Sequence, residues 1–141
     1  METTNKSNEI KREESAEKNL NQIDFHIYAI SKQTVRDEVV NWFQQSPLHW
    51  LFILFVMKYH YKNKNLSKQN LLEEINEHLA TDGKRTVTTE FKYIDDAIAK
   101  GFVYSEVCKD DQRKKNIFPT QKTIDSLNNW FLNFNSHFQS Q

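Results

Sequence analysis

The residues best suited to bind a charged ligand lie in one short segment, residues 109–116, which reads KDDQRKKN. Its cations, Arg113, Lys114 and Lys115, are of the kind that bind the phosphates of a polyanion. Asp111 stands two residues before Arg113, so in an extended strand both would point to one side, where a charge-assisted bond would brace the guanidinium. Either aspartate of the segment can also fold a turn through backbone amides. A solvated surface loop is the alternative.

A second group of donors lies in the segment KRTVTTEFKY, residues 84–93. Its members have a charged or hydroxyl-bearing end: Lys84, Arg85, Thr86, Thr88, Thr89, Lys92 and Tyr93. Backbone amides at a helix start and threonine hydroxyls bond phosphates, and threonine methyl groups contact thymine. The segment therefore has the composition of a helix that reads DNA.

Capping residues predict where two helices begin. Ser46 and Pro47 form a good N-cap and first-turn pair for a helix through LHWLFILFVMKYHY. That helix is apolar nearly all round, as a helix at the centre of a core would be. Ser67 can cap the next helix, from Lys68 to Leu79.

The next helix carries the donors of residues 84–93. We expect it to begin at Thr86 or Thr88 and to end at Lys100, because Gly101 can take the positive φ of the C′ position. The stretches FVYSEV and NIFP on either side of KDDQRKKN predict two short strands around a charged loop. Two helices joined by a turn and followed by a hairpin make a winged helix-turn-helix. In that fold the second helix fits the major groove of B-DNA and the hairpin reaches the adjacent backbone or minor groove.

Two terminal segments flank this unit. Residues 1–18 are polar without apolar periodicity, which predicts a disordered arm or the frayed start of a helix. From Leu20 to Phe43 apolar residues recur mostly at steps of three and four, which favours an amphipathic helix, although FHIYAI also alternates as a strand would. Thr120 can cap a last helix that runs toward Phe138.

The last helix carries an aromatic seam. Its apolar residues repeat at steps of three and four: Ile124, Leu127, Phe131, Phe134 and Phe138, with Trp130 beside them. In so small a chain, a partner subunit is a natural cover for this seam. The alternative is that the seam packs on the protein's own first helix.

Composition limits the class of protein. With 141 residues, 38% of them hydrophobic, and only two glycines and two prolines, the chain fits one mainly helical domain. The net charge is zero, but residues 58–123 carry 13 basic and 10 acidic side chains, so positive charge collects in the middle. The single cysteine, Cys108, excludes an intramolecular disulfide. No apolar run is long enough to span a bilayer and no signal peptide is evident, so we expect a cytoplasmic protein.

Motifs of catalysis are missing from the sequence. It has no Gly-rich phosphate loop and no nucleophile elbow, and its histidines are too widely spaced for a local ligand pair. The carboxylates of Glu73-Glu74 and Asp95-Asp96 are adjacent on a helix and therefore diverge. We expect no enzymatic activity, no cofactor and no metal.

From about Pro47 to Lys122 the chain resembles the MarR-type transcriptional regulators. Sequences of that family typically end the recognition helix in a leucine-rich stripe and a glycine, continue as an apolar strand, and carry an Asp-x-Arg wing before a leucine-threonine helix start. The corresponding segments here are YIDDAIAKGFVYSE, Asp111-Gln112-Arg113, and FPT at 118–120.

The resemblance implies a single winged-helix domain over residues 19–141, mostly α with a small β-hairpin wing. Residues 47–118 would form the DNA-binding lobe, and the helices of 19–45 and 120–139 a dimerisation region. It further implies a homodimer on a pseudo-palindromic double-stranded DNA site, with Arg113 in the minor groove. The expected dimer interface is apolar: Ile23, Ile27, Ile124, Leu127, Trp130, Phe131, Phe134 and Phe138. Some of the aromatic residues could line a cavity for a small-molecule effector between the lobe and this region.

Two other functions fit the same residues. A winged-helix DNA binder of plasmid or phage replication, partition or transfer would use the same surface on a tandem array of sites. A winged helix that binds protein would carry Arg113, Lys114 and Lys115 without ever contacting phosphate. Binding that is insensitive to salt would indicate the protein-binding function, because phosphate contacts release counterions.

Overall fold

The structure, a computed structural model, describes residues 2–79 and 92–139. Within these ranges six α-helices and one antiparallel hairpin follow in the order α1 (Glu2–Tyr28), α2 (Glu38–Phe43), α3 (Pro47–Tyr61), α4 (Lys68–Leu79), α5 (Lys92–Ala99), β1 (Val103–Val107), β2 (Lys115–Pro119) and α6 (Gln121–Gln139). The predicted class, mostly α with a small β-hairpin, is confirmed. Helices α4 and α5 and the hairpin form a winged helix.

Helix α3 lies at the centre of the core. The Ser46 hydroxyl oxygen accepts from the backbone N–H of His49 at 3.1 Å, and Pro47 occupies the first turn, so the predicted start is confirmed. The helix packs against α2, α4 and β2. Its buried residues are Phe52, Ile53, Phe55, Val56 and Met57. Burial of one such side chain contributes about 1.5–3 kcal/mol, so α3 supplies much of the apolar stabilisation.

The start of α4 is attached to the hairpin. The Ser67 hydroxyl oxygen accepts from the N–H of Asn70 at 3.1 Å, which confirms the predicted cap. One residue earlier, the carbonyl of Leu66 accepts from the N–H of Ile117 in β2 at 2.8 Å, and Ser67 forms an isolated bridge with Asn116. These backbone bonds place the first residues of α4 beside β2.

Helix α5 ends at Ala99, and Gly101 takes the C′ position that the sequence predicts. Gly101 has a φ of +78°, its N–H donates to Ile98 O at 3.0 Å, and the N–H of Phe102 donates to Ala97 O at 3.0 Å. This pair of bonds is the Schellman motif, which satisfies the last carbonyls of a helix. The Phe102 ring is buried, so the chain turns into β1 at a fixed place in the core.

The hairpin and α6 begin from this same point. Val103 pairs with Pro119 and Val107 with Lys115, so the two predicted strands are confirmed. Thr120 directly precedes α6 and was predicted to be its N-cap. Among the described contacts, however, its hydroxyl oxygen accepts no bond from a backbone N–H of the first turn. It donates instead to the carbonyls of Gly101 at 2.8 Å and Phe102 at 3.2 Å, because β1 brings these acceptors next to it.

Helix α1 includes residues 2–18, for which the sequence predicted a disordered arm or the frayed start of a helix. The helix begins at Glu2, and the side chains of residues 5–18 are exposed along it. Lysine, glutamate and arginine are good helix formers, and Glu14 and Lys18 stand at the i, i+4 spacing that favours a helix. The absence of apolar periodicity matches the exposure of these side chains.

The helix predicted from Leu20 to Phe43 is interrupted. A π-helical turn occupies Ala29–Thr34, in which the N–H of Val35 donates to Ile30 O at 3.1 Å. Asp37 then caps α2, since one of its carboxylate oxygens accepts from the amides of Val39 at 2.9 Å and Val40 at 3.1 Å. The stretch FHIYAI lies in helical backbone, so the strand alternative is wrong.

Replacing Gly101 tests whether its left-handed backbone fixes the end of α5. A Cβ at this position would meet no atom within 4 Å, so any cost of Gly101→Ala comes from the backbone alone. We expect a loss of about 1–2 kcal/mol in the free energy of unfolding. Gly101→Asn should lose less, since asparagine tolerates this conformation.

Urea denaturation at fixed protein concentration measures both variants. Lys100→Ala, at the exposed neighbouring position, is the control and should leave the unfolding midpoint nearly unchanged. Equal midpoints for Gly101→Ala and Lys100→Ala would contradict this description of the helix end.

Candidate nucleic-acid interface

The tip of the hairpin is a closed turn. The N–H of Arg113 donates to a carboxylate oxygen of Asp111 at 3.0 Å, and the N–H of Lys114 donates to the Asp111 carbonyl at 3.0 Å. The N–H of Cys108 donates to Lys114 O at 2.8 Å and closes the base of the turn. Asp111 therefore folds the tip through backbone amides, as an aspartate of this segment was expected to do.

Arg113 projects from this turn into solvent. Its side chain is 93% exposed, and its Nε lies 3.4 Å from a carboxylate oxygen of Asp111. The sequence predicted this contact from strand alternation, but it arises because the turn brings both side chains together. An exposed pair of this kind contributes little stability, about 0–1 kcal/mol. The guanidinium thus keeps most of its surface for a ligand.

A basic cleft adjoins the wing tip. It has a volume of about 390 Å³ and is lined by Ser67, Lys68, Gln69, Asp95, Arg113, Lys114 and Lys115. Its cations come from the hairpin and from the first turn of α4, which the bridge between Ser67 and Asn116 holds together. The predicted wing residues are therefore part of a larger positively charged surface.

Lys68 is a residue of this cleft that the sequence did not single out. Its Nζ lies 3.6 Å from a carboxylate oxygen of Asp95 on α5, so one acidic residue of α5 is paired within the lobe. A lysine directly after an N-cap serine is common in helices. The backbone bond between Leu66 and Ile117 and the bridge between Ser67 and Asn116 reveal that it lies beside the wing.

Most of the donors predicted for the recognition helix lie outside the described residues: Lys84, Arg85, Thr86, Thr88 and Thr89. Lys92 is the first described residue of α5 and is exposed. Its side chain is thus accessible, and its contact with DNA stays a prediction.

Tyr93 requires a correction, because its side chain is only 6% exposed. Its ring packs edge-on against Phe52 with 5.4 Å between centroids, on the same face of α5 as Ile94 and Ala97. Burial raises the pKa of Tyr93 to about 12, and its hydroxyl has no hydrogen-bond partner among the described residues. Tyr93 is therefore a core residue, and its predicted contact with DNA is wrong.

The aromatic residues of α6 surround one phenylalanine of α1. The ring of Phe25 is fully buried, and its centroid lies 4.8 Å from that of Phe134, 5.4 Å from Phe138 and 6.0 Å from Trp130. These three residues were expected at a dimer interface. In the structure they pack on the protein's own first helix, which was the alternative.

The inner residues of the α6 seam face the central core. Leu127 is fully buried within its own chain, so its predicted place at a dimer interface is wrong. Ile124 and Phe131 are partly buried and pack against the same core. The reason is that the first half of α6 covers α2 and β2, which the seam spacing alone could not reveal.

A second apolar stripe, which lies on α1 and on the start of the π-helical turn, points away from this core. Leu20, Ile23, Ile27 and Ile30 are each between 50% and 60% exposed. Their steps of three, four and three follow the a and d positions of a heptad, the spacing of a coiled-coil seam. The exposed α1 seam, as we call these four residues, therefore lacks a cover within the described chain.

The described residues form neither a metal site nor a membrane-spanning helix. Among the described residues, no group of three or more His, Cys, Asp or Glu side chains could hold a metal ion. No helix in residues 2–79 or 92–139 is long and apolar enough to cross a membrane.

Comparison with known proteins finds a solved structure with limited similarity to this chain. No protein-family model and no curated protein matches the chain. Among solved structures, the chain is similar to a candidate MarR-like transcription regulator from Bacillus cereus ATCC 10987, with 16% sequence identity and a TM-score of 0.47. The match covers 90% of this chain and 81% of that chain. The winged-helix class follows from α4, α5 and the β1–β2 hairpin themselves.

Proposed function

We propose that the protein is a sequence-specific, DNA-binding transcriptional regulator that acts as a homodimer. Residues 84–92 would enter the major groove, and the wing tip with Arg113 would reach the minor groove. The observation that carries the proposal is the exposed Arg113 on a closed turn beside the basic cleft. Arg113 enters the minor groove, and Lys114 and Lys115 contact phosphates. Lys68 adds a further cation from α4.

The charge balance of the cleft favours a phosphate backbone as its ligand. Four cations line it, and the one carboxylate among its lining residues, that of Asp95, is paired with Lys68. Phosphates of successive nucleotides could therefore contact the hairpin and the first turn of α4 at the same time. A single small anion would engage only part of this surface.

The rigidity of the turn also supports binding. Three hydrogen bonds fix the backbone between Cys108 and Lys114 before any ligand arrives. A preorganised loop loses less conformational entropy on binding than a flexible one. The cations are thus presented at low entropic cost.

Arg113→Ala should weaken DNA binding by about tenfold, because it removes one direct contact to the duplex. The slope of log K against log salt should also become shallower by about 1. Fluorescence anisotropy with mixed-sequence duplex DNA, titrated across salt concentrations, measures both quantities.

Arg12→Ala is the matched control, since Arg12 is an exposed arginine on α1 away from the wing. It should leave affinity and slope unchanged. A salt-independent affinity of the unmodified protein would rule out DNA binding and favour the protein-binding winged helix.

Asp111→Ala tests whether Asp111 stabilises the turn and positions Arg113, or acts only through its negative charge. Removing an acid close to phosphates should strengthen DNA binding if charge alone matters. We expect the opposite, a loss of several-fold, because the turn loses its side-chain acceptor and Arg113 its partner.

Asp110→Ala is the control for Asp111→Ala. It removes the same charge from the neighbouring exposed position without removing the acceptor of the Arg113 N–H. It should leave DNA binding unchanged or slightly stronger. Tighter binding by both variants would contradict the role of Asp111 as a brace.

The exposed α1 seam supports the homodimer. Four large aliphatic side chains at heptad positions are costly to leave in water on one face of a helix. A second copy carries the same stripe, so a two-fold axis would bring two matching seams together. Among the eight residues predicted for the interface, Ile23 and Ile27 are the two that belong to this seam.

Replacing both Ile23 and Ile27 with Asp should convert the dimer to a monomer, because four carboxylates would be buried in the interface without partners. Both positions are exposed in the protomer, so the fold should persist, as circular dichroism would check. Sedimentation velocity measures the mass.

Ile10→Asp is the control for the dimer. Ile10 is also an exposed isoleucine of α1, but it lies outside the heptad positions of the seam. It should remain dimeric. A dimer that persists in the double variant would place the interface elsewhere.

A further inference from the structure

The end of α3 and the middle of α6 share an exposed apolar surface. The Tyr61 hydroxyl donates to the side-chain oxygen of Asn128, and the Tyr61 ring packs edge-on against Phe131 with 6.4 Å between centroids. Asn128 stands one turn before Leu132 on the same face of α6, so Tyr61 and Leu132 are neighbours. Their side chains are 52% and 61% exposed. Two large apolar side chains therefore lie together in solvent.

The turn after α3 is closed by its own backbone. Asn63 has a φ of +54°, and its N–H donates to His60 O at 3.1 Å. The N–H of Lys64 donates to Tyr59 O at 3.0 Å. These two bonds form a Schellman motif, like the one at Gly101. Lys64 therefore stands at a fixed place beside the end of α3.

Three lysines surround the apolar pair. Lys58 lies one turn before Tyr61 and Lys62, so these three residues share one face of α3. Lys58, Lys62 and Lys64 are exposed, and none of them forms an ion pair within residues 2–79 and 92–139. We call these three lysines together with Tyr61 and Leu132 the α3–α6 patch.

The charge of the α3–α6 patch is positive. The one acidic residue of α6, Asp125, lies on the same face as Leu132, but its carboxylate accepts from the Gln121 side chain at 2.8 Å. Lysines at the C-terminal end of a helix are favoured by the helix dipole. The dipole does not explain why two apolar side chains are exposed between them. A ligand that is both acidic and apolar explains both features.

The α3–α6 patch lies away from the wing tip. The isolated bridge between Ser67 and Asn116 is antiparallel, so the chain before Ser67 runs toward Pro119 and away from Arg113. Lys64 is thus at the base of the hairpin. DNA bound at the tip would leave the α3–α6 patch uncovered.

The patch also lies away from the exposed α1 seam. Trp130 and Phe134 pack on Phe25 of α1. Leu132 is two residues from each of them, about 200° around the helix, so it points to the other side of α6. A dimer through the α1 seam would therefore leave Leu132 in solvent.

We propose that the α3–α6 patch docks an acidic amphipathic helix of another protein. Leucines of that helix, spaced by three and four residues, pack on Tyr61 and Leu132. Glutamates beside them pair with the three lysines. The apolar pair favours a protein over a nucleic acid, because Leu132 offers nothing to a phosphate. This surface goes beyond DNA binding and does not depend on it.

Three synthetic peptides test the two requirements. The probe is a fluorescein-labelled helical peptide with leucine at i, i+3, i+4 and i+7 and glutamate at the surrounding positions. One control carries lysine in place of glutamate, and the other carries alanine in place of leucine, which preserves the helix. Fluorescence anisotropy with the full chain, in the absence of DNA, should give binding of the probe about tenfold tighter than that of either control. No binding of the probe, or equal binding of the probe and a control, would overturn the proposal.

A charge-reversal variant assigns the lysines. Lys58→Glu together with Lys62→Glu should weaken binding of the probe by about tenfold, because repulsion replaces attraction. Lys6→Glu together with Lys11→Glu makes the same change of net charge at exposed positions of α1 and is the matched control. It should bind the probe as the unmodified protein does. Equal losses in the two double variants would show that only the net charge matters and would contradict the patch.

A second variant assigns the apolar contact. Leu132→Asn should weaken binding of the probe several-fold, and the fold should persist because Leu132 is exposed. Val35→Asn, at another exposed apolar position, is the control and should have no effect. Undiminished binding by Leu132→Asn would contradict the proposal.

The same variants exclude other occupants. The affinity of the Lys58 and Lys62 double variant for duplex DNA should match that of the Lys6 and Lys11 control, and a larger loss would assign the α3–α6 patch to DNA. Sedimentation velocity should give Leu132→Asn the mass of the unmodified protein, and dissociation would assign the patch to a second copy. Because the peptide assays contain no DNA, failure of the probe to bind would leave the proposed function intact.

Discussion

The left-handed backbone at Gly101 is the constraint from which the arrangement of the lobe follows. It ends α5 with two hydrogen bonds, turns the chain into β1, and leaves its own carbonyl free to accept from the Thr120 hydroxyl at the start of α6. Three elements therefore meet at one residue. The position of the wing relative to α5, and of α6 relative to both, is determined there and not by the loops.

A second attachment fixes the other side of the wing. The bond from the Ile117 N–H to the Leu66 carbonyl joins β2 to the segment directly before α4. The hairpin is thus held at its base by α5 and at its flank by α4, while Arg113 at its tip is free of packing. Rigid support with an exposed cation is the physical requirement for reading a groove, because the contact then costs little entropy.

Helix α1 shows how one helix serves two surfaces. Phe25 faces inward, as does Ala29 in the adjoining π-helical turn, and the rings of α6 close around Phe25. The exposed α1 seam lies on another face, where a second copy could cover it. The aromatic residues of α6 thus stabilise the protomer, and in our proposal the aliphatic residues of α1 join two protomers.

Local chemistry was predictable from the sequence, and long-range packing was not. Ser46, Ser67 and Gly101 were recognised because capping depends on a few neighbouring residues. Tyr93 was misjudged because its hydroxyl suggested a surface position, whereas its place on α5 beside Ile94 turns the ring inward. For α1, the spacing marked Leu20 and Ile23 as apolar but could not say whether they or Phe25 face the core. Lys68 could be assigned to the candidate site only from the structure, in which α4 contacts β2.

Selection of bound duplexes from random DNA tests the central claim most directly, because it reports affinity, symmetry and spacing together. A homodimer with two winged lobes should enrich inverted half-sites whose centres are separated by about one helical turn, roughly 10 base pairs, or a multiple of it. Failure to enrich any sequence would contradict sequence-specific DNA binding. Enrichment of a single half-site without symmetry would contradict the dimer.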